Sequence, residues 1–343
     1  MWFIIVSLVF IRLLMYPLYP QIGISHFSDI VFGTGCLTAF VLYGFVKIKT
    51  AFSAPLILFV VATAVTTILH GCTDLDVKNL LILDIYLLLV LFIIQIKYNR
   101  QIQWLLGCLI GYALLSSVVG VWQIVILHVH RASGLQGWPL SLAGHLLLFM
   151  PWALSRLTIR SGIICAGFVS ALSVLPAVSL VLLYIRNRWV LLISLCLLAP
   201  AVYFKNILGS FNTRIDYYQR ALEYLTQSPI LGVGTGKYIY SQGSPSLYVH
   251  NSYLQIWIEQ GFLGFIAIAW LVGLVFYRPI SRHRWVWLGL CAFLIDNLFS
   301  YTLLKANTSF IFWVMLAIYI RQHTKDNPLS YDKRLSQASV GLE

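Results

Sequence analysis

The sequence predicts an all-α, polytopic integral membrane protein with about 12 transmembrane helices (11–12). Of its 343 residues, 60% are hydrophobic and only 10% are charged, whereas about a quarter of a soluble domain is charged. Its mean hydropathy is +0.85. Apolar runs long enough to cross a bilayer recur along the chain with short polar loops between them. These observations exclude an ordinary soluble domain.

The predicted spans cover residues 1–321, the transmembrane domain, and the polar tail 322–343 is predicted to be cytoplasmic and disordered. The first run lacks a basic start and a small-residue cleavage site, so we interpret it as a span rather than a signal peptide. The apolar runs of about 20 residues lie near 1–19, 28–46, 53–70, 77–96, 102–127, 140–157, 189–204, 257–277, 286–304 and 308–321.

Basic residues orient these spans, because Lys and Arg are enriched in cytoplasmic loops. The resulting cytoplasmic anchors are Lys47, Lys49, Lys97, Arg100, Arg156, Arg160, Arg186, Arg188, Arg278, Arg282, Arg284 and the tail from Arg321. The acidic segment 72–78 and the loops 128–141 and 205–250 then lie outside.

The run 161–185 has basic residues at both ends and contains Pro176, which interrupts helical hydrogen bonding. If it leaves and returns as a re-entrant or broken pair of half-helices, the count is 12 with both ends cytoplasmic. If it crosses once, either the preceding spans reverse or Arg186 and Arg188 face outward. The sequence leaves both alternatives open.

The outer loop 205–250 is the larger of the two, and it is predicted to hold a short amphipathic helix lying on the membrane. Within it Tyr218, Ala221, Leu222 and Leu225 recur at helical spacing. The dipeptide Ser-Pro at 228–229 then ends the helix, and the Gly-rich turn "GVGTG" follows.

The net charge of +12 does not indicate nucleic-acid binding, because the basic residues are scattered between apolar runs rather than gathered on one face. The six cysteines are isolated and show no zinc-ligand spacing, so they are interpreted as small buried hydrophobic residues. Asp84 and Asp296, each inside a span, are interpreted as buried partners without an evident mate.

Three polar motifs follow one another in and after the larger outer loop. Arg214, Tyr218 and Ala221 form "R-x-x-x-Y-x-x-A", "SPILGVGTG" covers 228–236, and "HNSYLQ…EQGFLG" covers 250–264. This order resembles the signature of the O-antigen ligase and O-antigen polymerase superfamily. The segment 131–148 is also similar to an earlier family segment, although Trp138 and Leu140 stand where the family has Asn.

One further position departs from the family. Where the family has Ser-Arg-Gly at the outer end of a span, this chain has "VLPAVS" at 174–179, without an Arg. Because that Arg is associated with the lipid diphosphate, its role here is left open.

The resemblance implies transfer of a glycan from undecaprenyl diphosphate to an acceptor hydroxyl at the periplasmic face of the bacterial inner membrane. It implies inversion and requires neither metal nor cofactor. The implied partners are the lipid-linked donor, a lipid A core or growing glycan as acceptor, and membrane lipids.

The chemistry of that transfer selects candidate residues. A departing diphosphate gains negative charge, which fixed guanidinium groups stabilise, and the acceptor hydroxyl must lose a proton, which suits a neutral imidazole. The predicted catalytic residues are His250 and Arg214. The predicted substrate-binding residues are Arg131, Arg220, Asn251, Gln255 and Glu259, of which the last three repeat every four residues on one helical face.

Alternatives to these roles remain open. Arg214 and Arg220 could form the solvated or headgroup face of the loop helix, and the polar face of 251–259 could be a seam between spans. The acceptor could also be protein Ser or Thr. From a different class, a secondary transporter or flippase would use the break at Pro176 and the intramembrane Asp84 and Asp296.

Overall fold

The structure is a computed structural model. It describes residues 50–70, 86, 89–91, 93–96, 98–156, 158–171, 207–235, 237–238, 248–280 and 283–326. The predicted spans 1–19, 28–46 and 189–204, most of 77–96, the position 174–179 and the tail 327–343 lie outside the described residues.

The described part of the chain is helical and contains no β-strand, as the sequence predicts. Its helices, numbered here in chain order, are α1 Ser53–Leu69, α2 Asn99–Val125, α3 Pro139–Leu147, α4 Met150–Leu154, α5 Ile159–Ser170, α6 Ile207–Gln227, α7 Ser252–Tyr277, α8 Arg284–Asp296 and α9 Ala306–Asp326, with a 3-10 turn Thr302–Leu304 before α9.

Helix α9 is the centre of the bundle. Every residue from Phe310 to Ile320 is buried, which is typical of a helix that is apolar all round and enclosed by others. Phe59 of α1 and Phe293 of α8 pack on its aromatic residues Trp313 and Phe312. The core therefore forms around the last apolar run of the sequence.

Two helices of the described chain, α2 and α7, are long and apolar enough to cross a membrane. Large apolar side chains on both remain exposed, including Trp104, Trp122, Phe262 and Trp270, and a lipid environment would cover them. The twelve predicted spans and the compartment of the loop 205–250 stay predictions.

Two predicted spans are interrupted. The span 140–157 is divided between α3 and α4, which are separated by the buried residues Leu148 and Phe149. The span 286–304 ends as an α-helix at Asp296 and continues as turns and the 3-10 segment. Both interruptions contain buried polar or backbone groups. The spacing of apolar residues in the sequence does not predict such breaks.

The first half of the run 161–185 forms α5 and runs parallel to α2. A Cβ added at Gly120 of α2 would lie 2.9 Å from the Ser170 hydroxyl, and Gly167 of α5 lies against Ser117 of α2. Ala132 N–H donates to Ser170 O at 3.0 Å, so α5 ends beside Arg131. Whether the chain then turns back is decided by residues outside the described ranges.

Polar contacts join distant segments of the chain at two separate places. Arg321 donates to Ile96 O at 2.6 Å and to Asn99 Oδ1 at 3.2 Å, which joins two segments predicted to be cytoplasmic. Lys237 donates to His70 O, which joins two segments predicted to be outside. These pairings agree with the charge-based topology without assigning a compartment to either end.

Candidate active site

The site begins where α7 begins. Asn251 is the N-cap of α7, and its Oδ1 accepts from the backbone N–H groups of Tyr253 and Leu254, each at 3.0 Å. Such a cap satisfies helix donors that have no intrahelical partner. His250 precedes the cap with φ 57, a left-handed conformation that is uncommon for a residue with a side chain. Its imidazole stacks on the ring of Tyr217 with centroids 5.6 Å apart, and it packs edge to face on Tyr301 with centroids 4.9 Å apart.

Helix α7 is broken at Gly261, where φ is 69 and ψ is −170. In an unbroken helix Phe262 N–H would donate to Ile258 O. Here it donates to Ile230 O at 3.0 Å, while Ile258 O and Glu259 O accept from Val233 N–H at 2.8 Å and Gly234 N–H at 3.0 Å. The Gly-rich turn therefore satisfies the groups that the break exposes.

Glycine is needed on both sides of this contact. A Cβ at Gly261 would overlap Ile230 O, and a Cβ at Gly232 would lie 2.5 Å from Gly261 N. Both glycines have positive φ. The backbone N–H groups of Val233 and Gly234 in "GVGTG" both donate to α7, so the structure gives this turn a packing role.

The loop helix α6 is held against α7 by an apolar cluster. Ala221 is fully buried with Ile258 of α7 and Val249, and Tyr224 packs edge to face on Tyr238 with ring centroids 5.2 Å apart. Leu222, which the helical spacing had assigned to the same face, is 52% exposed. The amphipathic helix is confirmed as a helix, while its position relative to a membrane stays a prediction.

A cavity of about 320 Å³ lies between these elements. It brings together Arg131, Arg214 and His250, which come from three separate segments of the sequence and were all predicted site residues. The whole lining consists of Arg131, Trp138, Pro139, Leu140, Thr213, Arg214, Tyr217, His250 and Tyr301.

Both arginines are half-buried and tied to backbone carbonyls. Arg131 Nε donates to Ala171 O at 3.2 Å, and Arg214 Nη1 donates to Phe299 O at 2.7 Å. Burial lowers the pKa of both guanidinium groups, and for Arg214 the nearby Tyr218 and Asp296 act in the opposite direction. An Arg pKa starts so far above neutrality that both stay protonated, so two fixed cations face the cavity.

The remaining predicted residues lie away from this cavity. Arg220 is on the exposed surface of α6. Gln255 and Glu259 are buried and joined by a 3.1 Å hydrogen bond from Gln255 Nε2 to Glu259 Oε1. Asn251 uses its Oδ1 for the helix cap, directly after His250. The substrate-binding roles of these four residues stay predictions.

The structure shows the hydrogen-bond partners of Asp296, which the sequence did not identify. It is fully buried, and its Oδ2 accepts from Ser300 Oγ at 2.6 Å and Thr302 Oγ1 at 3.4 Å. Asn297 Oδ1 beside it accepts from Ser252 Oγ at 2.7 Å and from Leu303 N–H at 2.8 Å. This network joins the start of α7 to the segment 296–303 and to Arg214 through Phe299 O.

Sequence reasoning missed the residues that follow α8. Tyr301 lines the cavity, and the ammonium of Lys305 lies over three rings, 4.1 Å from the centroid of Tyr248, 4.8 Å from Tyr301 and 5.8 Å from Trp138. The sequence offered one signal for Lys305. It is a basic residue between the predicted spans 286–304 and 308–321, in a connection that the topology places outside.

Comparison with known proteins assigns the central part of the chain. Residues 137–269 match a family model described as O-antigen ligase. These residues are similar to the O-antigen ligase domain. Within it fall Trp138, Arg214 and His250, whereas Arg131, Tyr301 and Lys305 lie outside the matched residues. A search of the curated proteins found no match to the chain.

This match supports the superfamily that the sequence motifs resemble. It indicates glycan transfer of the O-antigen ligase type in general terms. The family is integral to membranes, in agreement with the apolar helices α2 and α7. The domain does not by itself identify the donor, the acceptor or the compartment.

Proposed function

We propose that the protein transfers a glycan from undecaprenyl diphosphate to an acceptor hydroxyl at the periplasmic face of the bacterial inner membrane. One observation carries the proposal: Arg131, Arg214 and His250, separated by up to 119 residues (250 − 131), line one cavity. A cation pair beside an imidazole matches a reaction in which a diphosphate leaves and a hydroxyl is deprotonated.

In this mechanism the acceptor oxygen attacks the anomeric carbon of the glycan from the face opposite the diphosphate. The new carbon–oxygen bond forms as the bond to the diphosphate breaks, which inverts the configuration. His250 accepts the hydroxyl proton, and Arg131 and Arg214 stabilise the charge that develops on undecaprenyl diphosphate. Neither cation has to titrate during the reaction.

The acceptor is a lipid A core, a growing glycan chain or a protein hydroxyl, since all three use the same chemistry. Silver-stained lipopolysaccharide from a deletion strain separates them. Core without O-chains indicates a ligase, and core with one repeat indicates a polymerase. Unchanged lipopolysaccharide with loss of glycoprotein indicates a protein oligosaccharyltransferase.

The test of the chemistry uses the same strain complemented with His250→Ala. We expect this variant to accumulate at the parental level without restoring the product. Parental amounts of product from His250→Ala would refute the assignment of the base to His250.

A transporter or flippase is the second candidate, and the broken helix α7 is the observation that favours it, because discontinuous helices form transport sites. Here, however, the Gly-rich turn satisfies the backbone groups on both sides of the break. Transfer by purified protein in a single leaflet, with donor and acceptor both supplied there, distinguishes catalysis from transport.

A further inference from the structure

The cavity also has an aromatic side, to which the proposed transfer assigns no role. Trp138 and Tyr301 line the cavity, and Trp138 is 62% exposed although it is the largest apolar side chain there. At this position the chain departs from the motif it otherwise resembles. The exposed ring of Trp138 lies in the same cavity as the two fixed cations.

Lys305 connects these rings from behind. Its ammonium lies 4.1 Å, 4.8 Å and 5.8 Å from the ring centroids of Tyr248, Tyr301 and Trp138, and the rings of Tyr248 and Tyr301 stack in parallel with centroids 4.1 Å apart. Ring faces attract a cation through their quadrupole, and the attraction is stronger where water is excluded. One ammonium thereby fixes the orientation of rings from three segments.

The position of Lys305 is unfavourable for the helix that follows it. Lys305 immediately precedes α9, and its carbonyl accepts from Ser309 N–H at 2.8 Å. A cation at a helix N-terminus is disfavoured by the helix dipole, and burial further lowers the pKa of this lysine to about 8. The helix dipole and burial therefore both oppose a charge at this position. The chain nevertheless has a lysine there, which favours a functional reason for the charge.

We propose that the exposed ring of Trp138, with Tyr301 beside it, forms a wall on which a sugar ring of the lipid-linked glycan stacks, and that Lys305 is the positioning residue that holds this wall. The proposal rests on the proposed function and names where its donor is bound. The apolar C–H face of a pyranose packs on an aromatic ring, while Arg131 and Arg214 take the adjoining diphosphate. Together they would bind the two chemically different parts of one donor.

The test measures binding separately from transfer. Purified full-length protein is titrated with undecaprenyl diphosphate glycan isolated from the bacterium that encodes the chain, and with undecaprenyl diphosphate that carries no sugar. Trp138→Ala should raise the Kd for the glycan-bearing lipid about tenfold and leave the Kd for the sugar-free lipid unchanged. Trp138→Phe should retain most of the affinity.

Trp104→Ala is the matched control, because Trp104 of α2 is 61% exposed and does not line the cavity. It should leave both affinities at the parental value. Equal affinity of Trp138→Ala and parent for the glycan-bearing lipid, or equal losses for both lipids, would overturn the wall.

Lys305 is tested with a neutral and a charged replacement. Lys305→Met should raise the Kd for the glycan-bearing lipid about as much as Trp138→Ala does. Lys305→Arg should keep the parental Kd. If Lys305→Met weakens the binding of both lipids equally, the ammonium contacts the diphosphate and the positioning role is overturned.

The pH dependence adds a readout that a packing role would not move. The ammonium is present below its pKa, so parental affinity for the glycan should fall as pH rises above about 8, whereas Lys305→Arg should remain flat there. Within the described ranges, the other titratable or charged groups around Lys305 are the adjacent tyrosines Tyr248 and Tyr301, and His250, Arg131 and Arg214 at the cavity. They are common to both proteins, so a fall of equal size in Lys305→Arg would overturn the assignment.

A separate transfer assay in proteoliposomes tests the proposed function. Product formation that is lost in His250→Ala but normal in Trp138→Ala, with normal binding, supports the function and overturns the wall. Binding that depends on Trp138 without any transfer supports the wall and overturns the function.

Discussion

At the scale of single residues, the cavity combines groups with different fates during the proposed reaction. Arg131 and Arg214 keep their charge throughout, and the hydrogen bonds that the described residues give them go to the backbone carbonyls of Ala171 and Phe299. A carboxylate hydrogen-bonded in that place would neutralise more of the positive field than a carbonyl does. Carbonyl partners orient the guanidinium groups and leave that field available to a diphosphate.

Replacement of Arg214 tests this arrangement. Arg214→Ala should reduce the rate of transfer by about a hundredfold or more, the expected loss for one transition-state cation, and Arg214→Lys should restore it only in part because a lysine lacks the planar fork. Initial rates at matched protein concentration measure the effect. A fully active Arg214→Ala would make α6 a surface element.

His250 gives a different signature, because only it must exchange a proton. Protonated imidazole cannot act as a base, so the rate of transfer should fall as the pH becomes acidic. This acidic limb should disappear in a residually active His250→Gln, whose side chain still hydrogen-bonds but does not titrate. Binding of undecaprenyl diphosphate should survive the change, and its loss would show that His250 holds the donor instead.

At the scale of elements, the contact between the Gly-rich turn and broken α7 determines where the site residues lie. The turn follows α6, which carries Arg214, and α7 follows His250. Three backbone hydrogen bonds join them at the level of Gly261. Any displacement of this junction would move the cation and the imidazole relative to each other.

Two glycines of α7 offer a matched test of the junction. Gly261→Ala should lower the thermal stability of the purified protein and its transfer rate, because its Cβ overlaps Ile230 O at a positive φ. Gly273→Ala, where nothing lies within 4 Å, should be neutral or slightly stabilising, since Ala favours helices by about 1 kcal/mol over Gly. Equal melting temperatures for the two variants would contradict the proposed role of the break.

The sequence predicted the helical class, the loop helix and three residues that the structure brings to one cavity. It could not predict the break in α7, because Gly261 lies in an apolar run whose periodicity continues on both sides. It missed Tyr301 and Lys305 for a related reason, since the α-helix ends at Asp296 inside a predicted span. Long-range partners such as Ser252 for Asn297 are visible only in the folded chain.

At the scale of the whole molecule, the described contacts separate two groups of polar residues. Arg321 and Tyr319 bind carbonyls beside predicted cytoplasmic anchors, whereas the cavity collects Arg131, Arg214 and His250. The charge rule places the second group outside. The orientation follows if these two groups are at opposite surfaces of the bilayer.

Thiol labelling tests that orientation in a background without the six native cysteines. Cysteines at Ser133 and Ser244 should react with an impermeant reagent added from the periplasm, whereas cysteines at Ser281 and at the exposed Thr324 should react only after the membrane is opened. Labelling of Ser281 and Thr324 alone would reverse the protein in the membrane and remove the cavity from the periplasm.

The break at Gly261 also bears on the order in which the protein is made. An α7 that entered the bilayer alone would expose the carbonyls of Ile258 and Glu259 and the N–H of Phe262 to hydrocarbon, where each unsatisfied group costs several kcal/mol. Their partners lie at 230–234, within a segment that is synthesised earlier and is predicted to cross to the other side first. We therefore expect α7 to reach its final form only after that segment has been translocated, so a stalled loop would leave a misfolded span rather than an inactive enzyme.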